Sequence, residues 1–127
     1  MSLRDLALNA ADVPEELVSV PEWGDGKYLI RGLTAGEAVD FYDRAVVKDP
    51  RSGEMKVNRK WWGPELLIAC VYDPETKARV FEAADRDALG KKASAVVTRL
   101  AGVAARLSGL GGDEQDKDIA ADLDEAR

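Results

Sequence analysis

Few residues of this chain have side chains suited to catalysis or metal binding. The sequence contains no histidine, the commonest general base near neutral pH and the commonest zinc ligand. Its one cysteine, Cys70, lies in the apolar run LLIACVY, which favours a buried, unreactive thiol over a nucleophile. A single cysteine cannot form an intramolecular disulfide. The composition therefore argues against an enzyme or a zinc protein, and we predict no cofactor and no metal.

Two segments have the outline of a ligand-binding motif but lack its key residues. ALGKKAS at 88–94 carries a Gly-Lys pair, but Asp85 and Lys92 stand where a phosphate loop needs glycine and Ser or Thr. Carboxylates alternate from Asp116 as in a calcium loop, but alanine occupies both the fifth-ligand and the central-glycine positions. We interpret the first segment as a helix break before a basic helix start, and the second as a solvated acidic stretch.

Large apolar residues at the ends of predicted elements are the remaining functional candidates. Trp61 and Trp62 are adjacent, and tryptophan is enriched at protein-binding hot spots. Leu107 and Leu110 stand where the last predicted helix ends. We predict that these four residues contribute to a partner-binding surface. The alternative for the tryptophans is packing onto the core, which the sequence favours for at least one of them.

The charge of the chain is concentrated at one end. The net charge is −6, of which residues 113–127 contribute −5 and the first 112 residues only −1. The body therefore lacks the basic footprint of a nucleic-acid-binding protein. No apolar stretch approaches the roughly 20 residues that span a bilayer, and the N-terminus lacks a signal-peptide core. We predict a location in the cell interior, with no membrane partner.

The first half of the chain carries signals for a β-hairpin followed by a helix. Residues 16–20 and 28–33 have strand character and are separated by a proline and the Gly-Asp-Gly at 24–26, which supports a tight reversal. Thr34 and Glu37 form the capping-box pattern that begins a helix. Apolar residues then recur at helical spacing from Ala38 to Val46. A short helical turn is also predicted before the hairpin, within residues 1–14.

The second half is helical, with one ambiguous segment. The apolar run after Trp62 could be a buried strand or a buried helix, and Pro64-Glu65 favours a helix that begins there. Residues 77–81 could pair with the hairpin as a third strand. A short helix is predicted between Asp85 and Gly90, and a long one over 93–107, where apolar residues keep helical spacing for four turns.

These elements predict an α+β fold that is mainly helical. An N-terminal β-hairpin is followed by about four helices, and the third short strand is optional. Residues 1–110 are predicted to form a single globular domain, and residues 111–127 a flexible acidic tail with too few apolar groups to bury. The last long helix could pair with a second copy of itself or serve as the central helix of a monomer.

The order of several segments resembles the tail assembly chaperones of long-tailed (siphovirus-type) bacteriophages and prophages. The segments are SLRDLALNAADVPEE, VSVPEWGDGKYLIRGLTAGEAVDFYD, LLIACVYDPETKARVF and DALGKKASAVVTRLAGVAARLSGL, and the resemblance covers about residues 2–110. The features are a Pro-Glu-Trp-Gly turn, a Leu-Thr-x-x-Glu helix start, a Leu-Gly-x-Lys-Ser-like segment and a Ser-Gly-Leu end. Two features depart from the pattern: Ala93 interrupts the Lys-Ser pair, and Glu37 is followed by Ala38 where a basic residue is often found.

The resemblance implies a function and partners. Such chaperones bind the tape-measure protein, keep it soluble and help to recruit tail tube subunits. They act in the host bacterial cytoplasm and are absent from the mature virion. The resemblance also implies a programmed ribosomal frameshift, of which this chain would be the short, unshifted product. The alternatives are a small structural virion or head–tail connector protein, and a cytoplasmic adaptor unrelated to phage.

Overall fold

Residues 1–24 and 26–110 are described by the computed structural model. The helices are α1 (Leu3–Asn9), α2 (Ala35–Ala45), α3 (Arg59–Cys70), α4 (Arg86–Gly90) and α5 (Ser94–Leu107). The strands are β1 (Glu15–Ser19), β2 (Lys27–Arg31), β3 (Val46–Lys48), β4 (Met55–Val57) and β5 (Val71–Tyr72). The predicted α+β fold, with a hairpin followed by four helices, is confirmed. The predicted acidic tail, residues 111–127, lies outside the described residues.

The N-terminal hairpin belongs to a three-stranded antiparallel sheet of order β1-β2-β5. Strands β1 and β2 pair from Glu15 opposite Arg31 to Ser19 opposite Lys27. The prediction that residues 77–81 pair with the hairpin as the third strand was wrong, because β5 is the strand that pairs with β2. Residues 77–81 form only an isolated bridge, between Arg79 and Tyr72 of β5. Strand β5 takes that place because it continues directly from the buried helix α3, which carries it to the sheet.

The connection between β1 and β2 is longer than a tight turn. A single 3₁₀ turn at Pro21–Trp23 leads to Gly24, whose φ of 106° favours glycine. Trp23 packs edge-on against Tyr28 and Phe81, with ring centroids 5.8 and 6.1 Å apart. The glycine therefore serves the reversal, and the tryptophan covers the end of the sheet.

Helix α2 begins as its sequence predicts. The Thr34 hydroxyl accepts a hydrogen bond from the Glu37 N–H at 3.1 Å, and the Glu37 carboxylate accepts one from the Thr34 N–H at 2.9 Å. Both bonds satisfy backbone donors that the first helical turn leaves without a partner. Strands β3 and β4, which follow α2, form an antiparallel ribbon that was not predicted from the sequence.

Helix α3 begins five residues before the predicted start at Pro64. Asn58 is its N-cap, and its side chain accepts a hydrogen bond from the Lys60 N–H at 3.2 Å. Pro64 lies inside the helix, where it removes one backbone donor. Trp62 packs against Phe41 of α2 with ring centroids 4.8 Å apart. This tertiary contact stabilises the first turn, which the local signal at Pro64 did not predict.

The hydrophobic core lies where α2, α3 and α5 meet the sheet. Phe41, Leu66, Leu67 and Leu100 are completely buried, and Ile30 contributes from β2. Gly63 marks the close approach of α3 and α5, since a Cβ on it would lie 2.9 Å from a Val97 methyl group. Burial at the core supplies most of the stability that folding requires.

The C-terminal end of α5 is tied to the end of β2. The Ser108 hydroxyl accepts a hydrogen bond from the Leu33 N–H at 2.9 Å and donates one to the Ala104 carbonyl at 2.6 Å. Gly32 lies directly against the Leu107 carbonyl. The Ser108 hydroxyl and the close approach at Gly32 thus join the helix to the sheet.

Candidate interaction surface

A groove of about 430 Å³ lies between α3, α4 and α5. Its floor is formed by small or apolar residues: Gly63 and Pro64 of α3, Leu89 of α4, and Val97, Ala101 and Ala105 of α5. Small side chains at a helix junction leave space that larger ones would fill. The volume is within the range of ligand-binding clefts in proteins. We refer to this feature below as the groove.

Three cations surround the groove. Arg59, Lys60 and Lys92 line it, whereas no carboxylate does so among residues 1–24 and 26–110. Over the same residues, no carboxylate oxygen lies within 4.0 Å of these three side chains. We refer to the three as the cationic rim. An apolar floor with a cationic rim suits a segment that is apolar on one side and acidic at its borders.

Trp62 both packs onto the core and lines the groove. Its ring packs against Phe41 at 4.8 Å and Tyr42 at 6.1 Å between centroids, and the residue also lines the groove. It is partly exposed. The residue therefore supports the core on one side and offers apolar surface to the groove on the other.

Trp61 lies beside the groove between two cations. Lys60 Nζ lies 4.7 Å from its ring centroid, and the Arg86 guanidinium carbon lies 4.1 Å from it. The side chain also faces Gly90, since a Cβ there would lie 3.9 Å from the indole ring. Such stacking holds the ring in place against Lys60, which lines the groove, and Arg86, which does not.

Leu107 and Leu110 lie at the C-terminal end of α5, where the backbone caps the helix. Leu110 N–H donates to the Ala105 carbonyl at 2.8 Å, and Gly109 N–H donates to the Arg106 carbonyl at 3.2 Å. With Gly109 at a φ of 74°, this is the Schellman arrangement. Both leucines are partly buried against the core. Of the four predicted contact residues, Trp62 lines the groove, whereas Trp61, Leu107 and Leu110 do not.

Further apolar surface lies away from the groove. Leu3, Leu6 and Leu8 of α1 are between 52% and 85% exposed. Met55 and Val57 of the β3–β4 ribbon are 64% and 48% exposed. The described residues contain no cluster of three or more potential metal ligands, and none of their helices is long and apolar enough to cross a membrane.

A family model decides what kind of protein this is. The model for phage tail assembly chaperones matches residues 2–122. The chain belongs to the phage tail assembly chaperone family. The match covers almost the entire chain and therefore confirms the resemblance seen in the sequence, which covered residues 2–110. It also extends into the acidic segment.

A solved structure of a tail assembly chaperone has a fold similar to that of this chain. The structure of the bacteriophage HK97 tail assembly chaperone has a TM-score of 0.56 and 24% sequence identity. The alignment covers 84% of this chain and 98% of the HK97 chain. No curated protein matches. A chaperone family implies a non-enzymatic role in assembly, together with binding to tail proteins.

Several groove residues of the chaperone were not predicted from the sequence. Gly63, Ala101 and Gly102 were not singled out, because small residues carry no signal until their neighbours are known. Lys92 was interpreted as a departure from a phosphate loop and as a solvent-facing residue, not as part of a binding surface. A surface made by three separate helices leaves no continuous pattern in the sequence, so only the tertiary structure shows these residues as one site.

The thiol of Cys70 should be unreactive in the folded chaperone. Burial in the apolar core raises the pKa of Cys70 to about 12, although a hydrogen bond with Ser108 partly opposes this. At pH 8 almost no thiolate is present, so thiol-exchange reagents should react roughly a thousandfold more slowly than in 8 M urea. The measurement is the rate of a colorimetric thiol assay with and without urea. Equal rates would show that the thiol is accessible.

Proposed function

We propose that this chain binds the tape-measure protein of its phage and keeps it soluble before the tail tube assembles. The groove is the observation that supports this proposal. A tape-measure protein is a long helical rod, and an amphipathic helix fits an apolar floor between helices. Trp62 supplies the aromatic surface, and the cationic rim selects acidic residues at the border of the bound helix.

The other predicted contact residues belong to the same proposal. Trp61 stacks with Lys60 and Arg86 beside the groove, and Leu107 and Leu110 pack against the core at the C-terminal end of α5, next to the groove residue Ala105. A rod that contacts the groove and this end together would gain from multivalent binding. We propose that recruitment of tail tube subunits uses a separate surface, since the groove is occupied by the rod.

Blocking the groove tests the proposal without removing core contacts. Gly102 lines the groove, and a Cβ placed on it meets no atom within 4 Å. Gly102→Phe should therefore fold and fill the groove with an aromatic ring. We expect the Kd for the tape-measure protein to rise at least about tenfold, the effect of losing roughly 1.4 kcal/mol of binding. On co-expression, the soluble yield of the tape-measure protein should fall as a result.

Gly36→Phe is the matched control. Gly36 is also exposed in a helix, has equally open space around its Cβ position, and does not line the groove. It should leave the soluble yield unchanged. Normal yield with Gly102→Phe would exclude the groove as the binding site. Loss with both variants would indicate a folding defect, which circular dichroism of each purified chaperone detects.

We further propose that the chaperone works in the host bacterial cytoplasm, is absent from the mature virion and is the unshifted product of a frameshifted gene. The family resemblance supports these points. Mass spectrometry of purified virions tests the second, since a structural tail protein would be found there. The gene sequence around codons 105–127 tests the third, and a region with no slippery heptamer would exclude the frameshift.

A further inference from the structure

We propose that the acidic segment of this chain, residues 113–127, docks into the groove and covers it when no partner is bound. The segment is the only part of the chain with a strong charge excess, at −5. The groove is lined by three cations that have no carboxylate oxygen within 4.0 Å in the described part of the chain. Opposite charges of this kind attract across an interface and set its specificity.

The segment also carries apolar residues that suit the floor. Ile119 and Leu123 are four residues apart, a spacing that places two side chains on the same side of a helix. Acidic residues flank both of them. Two such side chains are too few to form a core, but they match a floor built from Leu89, Val97 and Ala101.

The last groove residue of α5 lies close to the end of the described chain. Leu110 is hydrogen-bonded to Ala105, and Ala105 itself lines the groove. The Schellman arrangement at Gly109 turns the backbone back at this point. From Ala105 to Ser94 the groove runs about 17 Å along α5, and a helical segment of residues 111–127 would span about 25 Å. The segment therefore has the length to reach the cationic rim.

The family match gives independent support. It continues to residue 122, so it includes the first of the two apolar residues. The acidic segment is thus part of the same family unit as the groove. The regulatory consequence rests on the proposed function: if the groove binds a tape-measure helix, the docked segment competes with it and keeps the apolar floor covered until that helix displaces the segment.

Paramagnetic labelling of the full chain tests the docking. A spin label on Gln115→Cys leaves every charge and both apolar residues of the segment in place. Cys70 is buried, and mass spectrometry verifies that a single label is attached. We expect amide signals of Lys60 and Ser94, at the groove end far from Leu110, to lose most of their intensity.

Two charge-matched variants separate docking from tethering. Arg59→Glu/Lys92→Glu reverses the cationic rim, whereas Lys27→Glu/Lys48→Glu makes the same change of net charge at exposed positions outside the groove. Arg59→Glu/Lys92→Glu should restore the Lys60 and Ser94 signals, whereas Lys27→Glu/Lys48→Glu should not. Adding 0.5 M salt to the parent chain should also restore them, because salt screens the attraction between the charges. Equal intensities in both variants, or broadening confined to residues near Leu110, would overturn the proposal.

A mixing experiment distinguishes this chain from a second copy. An isotope-labelled chain without a spin label is mixed with an unlabelled chain that carries one. Broadening of the groove signals in this mixture would show docking between copies and overturn docking within the chain. Co-expression with the tape-measure protein is then measured separately, so a groove that binds the acidic segment but no tape-measure helix would fail only the proposed function.

Discussion

Replacing both Arg44 and Arg86 with methionine should lower the free energy of unfolding by about 3–5 kcal/mol. The reason is Glu65, a carboxylate of α3 that is only 3% exposed. Arg44 Nε lies 3.3 Å from one of its oxygens, and an Arg86 guanidinium nitrogen lies 3.6 Å from the other. Without both partners, a buried charge would remain without compensation.

The effect should be strongly non-additive. Either arginine alone still compensates the carboxylate, so each single change should cost about 1 kcal/mol. Arg86→Met also loses its stacking on Trp61, which contributes about 0.5–1 kcal/mol. Urea unfolding of the two single variants and the double variant measures this coupling.

Glu65→Leu in the double variant is the decisive control. Removing the carboxylate removes the unpaired charge, so the triple variant should recover most of the lost stability. If the triple variant is as unstable as the double, the loss comes from the arginine stems and not from the buried charge. An arginine stem can cover apolar surface, which is why methionine, with a comparable apolar stem, is the substitution of choice.

Gly32→Ala should destabilise the protein by about 3 kcal/mol, at the upper end of the range for overpacking. A Cβ on Gly32 would lie 2.8 Å from the Leu107 carbonyl carbon and closer still to its oxygen. These are backbone atoms of α5, so they cannot rotate away as a side chain would. Relief requires α5 to move from the sheet, which would stretch the hydrogen bond between the Leu33 N–H and Ser108.

Gly36→Ala is the control for this prediction. Its Cβ would meet no atom within 4 Å, and alanine is the better helix former, so it should be neutral or slightly stabilising. Thermal and urea unfolding of the two variants, compared with the parent chain, give the result. Equal stability of both variants would show that α5 can shift freely at this end.

The candidate surface was only partly predictable from the sequence. Trp62 was singled out for its residue type, and the structure places it at the groove. The contribution of all four predicted residues to partner binding stays a prediction. Leu107 and Leu110 were chosen for their position at a helix end, where capping against the core is a competing use of the same leucines. The cationic rim comes from α3 and from the turn before α5, and no local pattern joins its members.

By itself, the sequence determined the elements whose signals are local. The capping box of α2 and the apolar spacing of α5 need only residues within a few positions of each other, because they depend on backbone bonds and side-chain periodicity. The order of such segments was also enough to indicate the tail assembly chaperone family. The lack of histidine was likewise visible without a structure.

Only the tertiary structure decided the features made by distant residues. Helix α3 begins before Pro64 because Trp62 finds Phe41 across the core, and Glu65 is buried because two arginines from other helices meet it. The groove exists because small residues of separate helices coincide at one junction. Such contacts depend on how the elements pack, and packing energies are set by neighbours that are far apart along the chain.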